Sequence, residues 1–180
     1  MTTKPVIWVP GAIYHVTSRG NRKEEIFKDT ADYYIYLTNL QENIKRYEEL
    51  NYQLLAYCLM TNHVHLIIKT DKEPLERLMK RVNSMYTRYF NSKYDYVGHL
   101  FQGRYHGEII KGDAQLIETS RYVHLNPVRA NMVEKPEEYK WSSYKMYIAK
   151  EKDELLELDV ILHYFNYKNE AYKRFVELQM

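Results

Sequence analysis

The sequence predicts an α+β fold, a ferredoxin-like split βαβ antiparallel sheet with helices on one face and a short helical C-terminal extension. Three observations support it. Strand-like and helix-like periodicities follow one another in the order strand, helix, strand, strand, helix, strand, helix, the order of that architecture. No internal repeat, low-complexity tract or Gly/Ser linker interrupts the chain before about residue 150. Hydrophobic residues at 45% and charged residues at 28% of a 180-residue chain match a globular domain. Residues 1–150 read as one domain and 151–180 as a helical C-terminal extension.

The first strand falls on Ala12 to Thr17, where Ile13 and Val16 alternate with polar residues up to a basic turn, Ser18-Arg19-Gly20-Asn21-Arg22. From Thr30 to Leu50, Tyr33, Leu37, Leu40, Ile44 and Tyr47 step at helical spacing. Two apolar, β-branched segments, Tyr52 to Met60 and His63 to Thr70, are separated only by Thr61-Asn62 and form a hairpin. Pro74 opens a second helix whose core stripe is Leu75, Leu78, Met79, Val82, Tyr86 and Tyr89; Arg77, Arg81, Ser84 and Arg88 line its other side. A short strand near Tyr105 to Ile110 follows the loop with Gly98 and Gly103, and a third helix starts at Asp113, a suitable N-cap. Helical spacing returns between Glu154 and Phe165 and again after Asn169.

Charge and cysteine content set limits on function. Twenty-six Lys+Arg against 24 Asp+Glu leave a net +2, which supports a polyanionic partner only weakly. Nineteen tyrosines against 5 Phe and 2 Trp suit stacking on bases, hydrogen bonding to phosphate or nucleophilic attack, without requiring any of them. No apolar run reaches the ~20 residues of a membrane span, and the amino end carries Lys4 and Pro5 where an export signal would be apolar. The single cysteine, Cys58, sits in an apolar run as an inert thiol, and the chain reads as cytoplasmic.

The chemistry concentrates in two places. On a strand, His63 and His65 project from one face with Cα atoms about 7 Å apart, so both imidazoles can meet one ion. The same pattern also describes two satisfied or surface histidines. On the third helix, Glu118, Tyr122 and Asn126 recur every fourth residue and share a face. The Asn126 amide oxygen is a hard ligand suited to Mg²⁺ or Mn²⁺, and Asn before Pro127 is equally a helix N-cap. Ordinary packing is the alternative for Tyr122.

His63-Val-His65-Leu-Ile-Ile resembles the two-histidine HUH motif of single-tyrosine nucleases, and Tyr122-Val-His-Leu-Asn126-Pro-Val-Arg-Ala130 is similar to the tyrosine segment of REP-associated tyrosine transposases and their single-tyrosine insertion-sequence relatives. Tyr14-His-Val-Thr-Ser-Arg-Gly-Asn21, Leu100-Phe-Gln-Gly-Arg-Tyr105 and Trp141-Ser-Ser-Tyr144 extend the likeness over about residues 10–147. The resemblance implies a transposase-like single-stranded DNA endonuclease and strand transferase. It assigns a divalent metal, Mg²⁺ or Mn²⁺, to His63, His65 and Asn126, and the nucleophile that forms a 5′-phosphotyrosine to Tyr122. Insertion-sequence members commonly carry Gln where Asn126 stands, so the chain follows the REP-associated branch. The substrate implied is single-stranded or hairpin DNA, with relatives acting as monomers or as homodimers. Arg19, Arg22, Arg81, Arg88 and Arg104 are the candidate phosphate contacts.

Two other readings compete. His15-Val-Thr17 fits one element of a two-histidine phosphoesterase, but that fold needs a second His-x-Thr and His63-Val-His65 lacks the hydroxyl. The other is a non-catalytic ferredoxin-like nucleic-acid-binding module whose aromatics stack on bases without metal.

Overall fold

The computed structural model describes residues 6–149 and 154–180. The expectations for Lys4 and Pro5 and for a boundary near residue 150 lie outside the described residues. The chain runs β1 (Ile13–Arg19), α1 (Thr30–Arg46), β2 (Gln53–Met60), β3 (His63–Lys69), α2 (Leu75–Tyr94), β4 (His106–Ile109), α3 (Asp113–Arg129), α4 (Tyr144–Ile148), α5 (Asp159–Leu162) and α6 (Asn169–Glu177). The four strands form one sheet in the order β2-β3-β1-β4, with every pair antiparallel. This is the expected ferredoxin-like order.

Strand alternation divides the apolar residues between two cores. Tyr14, Val16, Leu54, Leu59, Val64, Leu66 and Ile68 face α1 and α2, where Leu40, Leu78, Val82 and Tyr86 bury against them. Each fully buried side chain of this size contributes about 1.5–3 kcal/mol. The opposite face is also covered: Leu55, Cys58 and Ile67 pack with Leu116 and Val123 of α3, Tyr144 and Tyr147 of α4, and Tyr172 and Val176 of α6. The expectation of helices on one face therefore holds for α1 and α2 alone. Alternate positions of β2 are apolar on both faces, and the second set needs α3 and the C-terminal helices to leave water.

Local chemistry fixes the element ends. Asp29 caps α1 by accepting from the amides of Ala31 at 2.9 Å and Asp32 at 3.2 Å, while Asp32 returns the bond to the Asp29 amide, forming a capping box. Asp113 is not the cap of α3. That position is Gly112 at φ 81°, and the Asp113 carboxylate instead accepts from the Tyr164 hydroxyl at 2.8 Å. Asn126 is not a cap either, because α3 continues through Pro127 to Arg129. Proline there forfeits one amide bond in the final turn, where the loss is smallest.

The outer edge of β2 is closed by two later segments. Leu59 donates its amide to the Trp141 carbonyl at 2.8 Å and Tyr57 donates to Ser143 Oγ at 2.9 Å, while the Glu157 amide donates to the Leu54 carbonyl at 2.9 Å. These bonds pair an edge that would otherwise present free amides and carbonyls.

Candidate active site

His63, His65 and Ile67 share one face of β3, and the burial of Ile67 in the second core identifies that face as the one beneath α3. The rings of His63 and His65 lie 4.9 Å apart at their centroids, nearly perpendicular. Tyr122, on α3, sits edge-on to His65 at 5.5 Å and to His15 of β1 at 5.9 Å. Its side chain is 40% exposed and its hydroxyl has no hydrogen-bond partner among the described residues. Of the two imidazoles that the sequence singled out, His65 therefore meets the phenol directly, and His63 adjoins it through His65.

The imidazoles are kept neutral by their surroundings. Burial, and then the Arg19 guanidinium, push the His63 pKa down to about 4. Burial, followed by His63, His15 and Arg19, pushes His65 to about 3. Burial lowers His15 as well, against the opposing charge of Glu108. A neutral imidazole retains one lone pair for a metal. Among the described residues His65 Nε2 is buried without a hydrogen-bond partner, and an unpartnered buried nitrogen beside a second neutral imidazole fits a divalent cation.

Asn126 is less firmly placed. Its amide nitrogen donates to the Tyr122 carbonyl one turn earlier at 2.9 Å, and no hydrogen bond joins it to either imidazole among the described residues. Glu118 pairs with Arg121 on the same helix, and that guanidinium stacks on Phe175 of α6 at 4.2 Å. Among the described residues no cluster of three or more His, Cys, Asp or Glu is arranged as a metal cage. A cation here would rest on two imidazoles completed by oxygen ligands.

Two participants were missed by the sequence reading. The Arg129 guanidinium lies over the Tyr122 ring at 5.5 Å, on the helix face two turns on; the seven-residue spacing was the available signal. His15 Nε2 lies 2.9 Å from His65 Nδ1, and this pairing depends on strand register, which local sequence does not reveal. His15, Tyr122 and Arg129 line a surface pocket of about 480 Å³ together with Glu108, Glu118 and Thr119.

The candidate phosphate contacts do not form one cluster. Arg19 ends β1 opposite His63, and Arg22 follows in the turn at φ 53°. Arg88 and Arg104 share a groove of about 790 Å³ with Lys80, Asn21 and Phe101, and Arg81 lines the neighbouring groove along α2. The groove and the histidines are joined at their rims, because the Asn21 amide donates to the Leu100 carbonyl at 2.8 Å and the Gln102 amide to the Arg19 carbonyl at 2.9 Å.

The chain is a transposase-family protein in which a ferredoxin-like sheet sets two neighbouring histidines under a helix that carries an exposed tyrosine. The chain belongs to the IS200-like transposase family, whose family model matches residues 9–126, a span that includes His63, His65, Tyr122 and Asn126. Its fold is similar to that of a REP-associated tyrosine transposase solved bound to a REP hairpin, with a TM-score of 0.71 and 15% sequence identity, over 88% of this chain and 90% of that one. A Deinococcus radiodurans R1 structure at 16% identity covers 68% of this chain and 95% of that chain with a TM-score of 0.46. No curated protein sequence matches the chain. Among the described residues, no helix is long and apolar enough to cross a membrane.

Proposed function

We propose that the protein cleaves and rejoins single-stranded DNA beside a hairpin by transesterification at Tyr122. The observation that carries this reading is the meeting of an exposed phenol, its hydroxyl free of hydrogen bonds among the described residues, with the rings of His65 and His15. The Tyr122 oxygen attacks a phosphodiester phosphorus, an O–P bond to tyrosine forms, and the bond from phosphorus to the 3′-oxygen breaks. The phenol loses its proton, the departing 3′-oxygen gains one, and the 5′-phosphate stays on the protein. Attack by a 3′-hydroxyl reverses the step, so the bond is conserved without ATP.

His63 and His65, with Asn126 supplying an oxygen, would hold Mg²⁺ or Mn²⁺, and the imidazole pair favours Mn²⁺. Bound there, the cation supplies Lewis-acid stabilisation of the non-bridging phosphate oxygens. Arg129 places a positive charge over the Tyr122 ring, where it would offset negative charge gathering at the reacting phosphate. Arg19 opposite His63, Arg22 in the turn that follows, and Arg81, Arg88 and Arg104 along α2 and its facing loop would contact phosphates, with hairpin or single-stranded DNA as the partner. A soluble cytoplasmic setting accords with that partner.

The test uses a labelled hairpin with single-stranded flanks, incubated with Mn²⁺ and run on a denaturing gel. A protein-linked band with the wild-type chain and none with Tyr122→Phe is the expected result. An equal band from Tyr122→Phe removes the assignment, and DNA binding without any band from the wild type favours the non-catalytic module.

A further inference from the structure

We propose that Asn62 and His15 are positioning residues that hold His63 and His65 as Nδ1–H tautomers, so that both imidazoles present an Nε2 lone pair to one divalent cation. The inference rests on the reading of those two histidines as metal ligands and names what orients them.

His63 Nδ1 lies 2.6 Å from Asn62 Oδ1. The orientation of that amide is fixed independently, because Asn62 Nδ2 donates to the Lys23 carbonyl at 3.0 Å. The end facing His63 is therefore a carbonyl oxygen, which only accepts, and the proton of the bond resides on His63 Nδ1. The lone pair of the neutral ring is then on Nε2.

The bond between His65 Nδ1 and His15 Nε2, at 2.9 Å, carries one proton. Were it on His15, His65 would need an N–H at Nε2, a buried atom with no acceptor among the described residues. A sealed, orphaned N–H is among the costliest arrangements in a protein interior. With the proton on His65 Nδ1, Nε2 is a lone pair, which an ion can use. His15 then carries its own proton on Nδ1, and the ring lines the open pocket beside Glu108, where water can accept it. Metal-binding imidazoles commonly donate their second N–H to an oxygen or water; here one partner is an amide and the other a third imidazole.

The Asn62 arm belongs to the backbone as much as to the site. The Thr61 carbonyl accepts from the amides of Ile26 at 2.9 Å and Phe27 at 3.1 Å, and the Asn62 carbonyl accepts from Gly20 at 2.8 Å. The hairpin tip is thus clamped in the turn after β1, and the clamp places an acceptor at His63.

The experiment combines long-range ¹⁵N–¹H NMR of the imidazoles in metal-free protein with Mn²⁺ calorimetry, on the wild type, Asn62→Ala, His15→Phe and His15→Gln. In the wild type His63 and His65 are expected as Nδ1–H tautomers. Asn62→Ala should release the His63 tautomer and His15→Phe that of His65, each weakening Mn²⁺ binding about 10–100-fold. His15→Gln, whose amide oxygen can still accept, should restore most of the loss, which mere packing would not produce. An Nε2–H tautomer at either histidine of a wild type that binds Mn²⁺ overturns the inference alone, as does unchanged Mn²⁺ affinity in His15→Phe. Wild-type protein that binds no Mn²⁺ overturns the metal reading and this role with it. The wild-type tautomers decide the matter should a variant fail to fold.

Discussion

At the scale of single residues, the site combines a tyrosine whose hydroxyl makes no hydrogen bond among the described residues with an arginine over its ring. Arg129 is the clearest case for a test, since its charge lies over the Tyr122 ring and its side chain is exposed, outside both cores. Arg129→Ala should slow adduct formation about tenfold, equivalent to about 1.4 kcal/mol in the barrier, with Arg129→Lys between, as read by single-turnover gels. An unchanged rate would exclude the arginine from the step. His124, the second residue after Tyr122, has the opposite character. It is fully buried, with Nδ1 2.7 Å from the Tyr172 hydroxyl and Nε2 2.8 Å from Ser143 Oγ, and burial pushes its pKa down to about 3. The unfolded imidazole takes a proton below about 6.5 and the folded one does not, so the folded state loses stability as pH falls from 6.5 towards 3. His15 and the two histidines of β3 act in the same direction, so the comparison must be differential. His124→Gln should cost about 1–3 kcal/mol in urea unfolding at pH 7.5, and its gap to wild type should narrow at pH 5. A gap independent of pH would show that His124 is not held neutral. Tyr122, His63 and His65 were visible in the sequence because i+2 on a strand and i+4 on a helix are local rules. His15 was noticed only as half of another motif, since its meeting with His65 is decided by the register of β1 on β3.

At the scale of elements, the turn after β1 connects the histidines to the α2 groove. Gly20 carries no side chain for a steric reason: a Cβ there would collide with the Glu24 carbonyl oxygen and crowd Ile26. Gly20→Ala should destabilise the chain by about 1–3 kcal/mol by displacing backbone that has no room to yield. The same change should weaken binding of hairpin DNA, because Arg19 and Arg22 flank the displaced residue; calorimetric melting and a binding isotherm measure the two effects, and an unaltered melt would deny the crowding. The hydrophobic period revealed these elements, but their ends depended on partners beyond the window. Asp113 looked like a cap until Tyr164 was seen to hold it, and Asn126-Pro127 looked like a helix start although α3 passes through both. Alternation on β2 hid the same kind of fact, since a strand apolar on both faces does not say which helices cover it.

At the scale of the whole molecule, residues 154–180 are integral to the second core and not an appendage to it. Ile161, Tyr172 and Val176 are fully buried, and Tyr172 bonds both His124 and Ser120 on α3. Ending the chain at residue 149 would strip α3 of those partners and expose the back of β2. The shortened chain should lose its cooperative melt or become insoluble; a soluble product with the wild-type transition would show the extension to be separable. The low net charge of +2 gave no hint of where DNA would lie, yet the basic side chains are unevenly spread, with Lys80, Arg88 and Arg104 around one groove. Arg88→Ala should weaken hairpin binding and reduce its salt dependence by about one unit of slope, and an identical slope would place the groove off the DNA path. The closure of β2 by the segment after α3 also stacks the Trp141 indole on Tyr33, with centroids 4.4 Å apart and planes 6° from parallel, while Tyr34 meets it edge-on at 5.1 Å. Because the chain has only 2 Trp, replacing Trp8 with Phe leaves a lone indole whose emission is tuned by its tyrosine neighbours. That ring is a built-in optical gauge of whether the late stretch of the chain has seated on α1, readable in a stopped-flow cuvette without any attached dye.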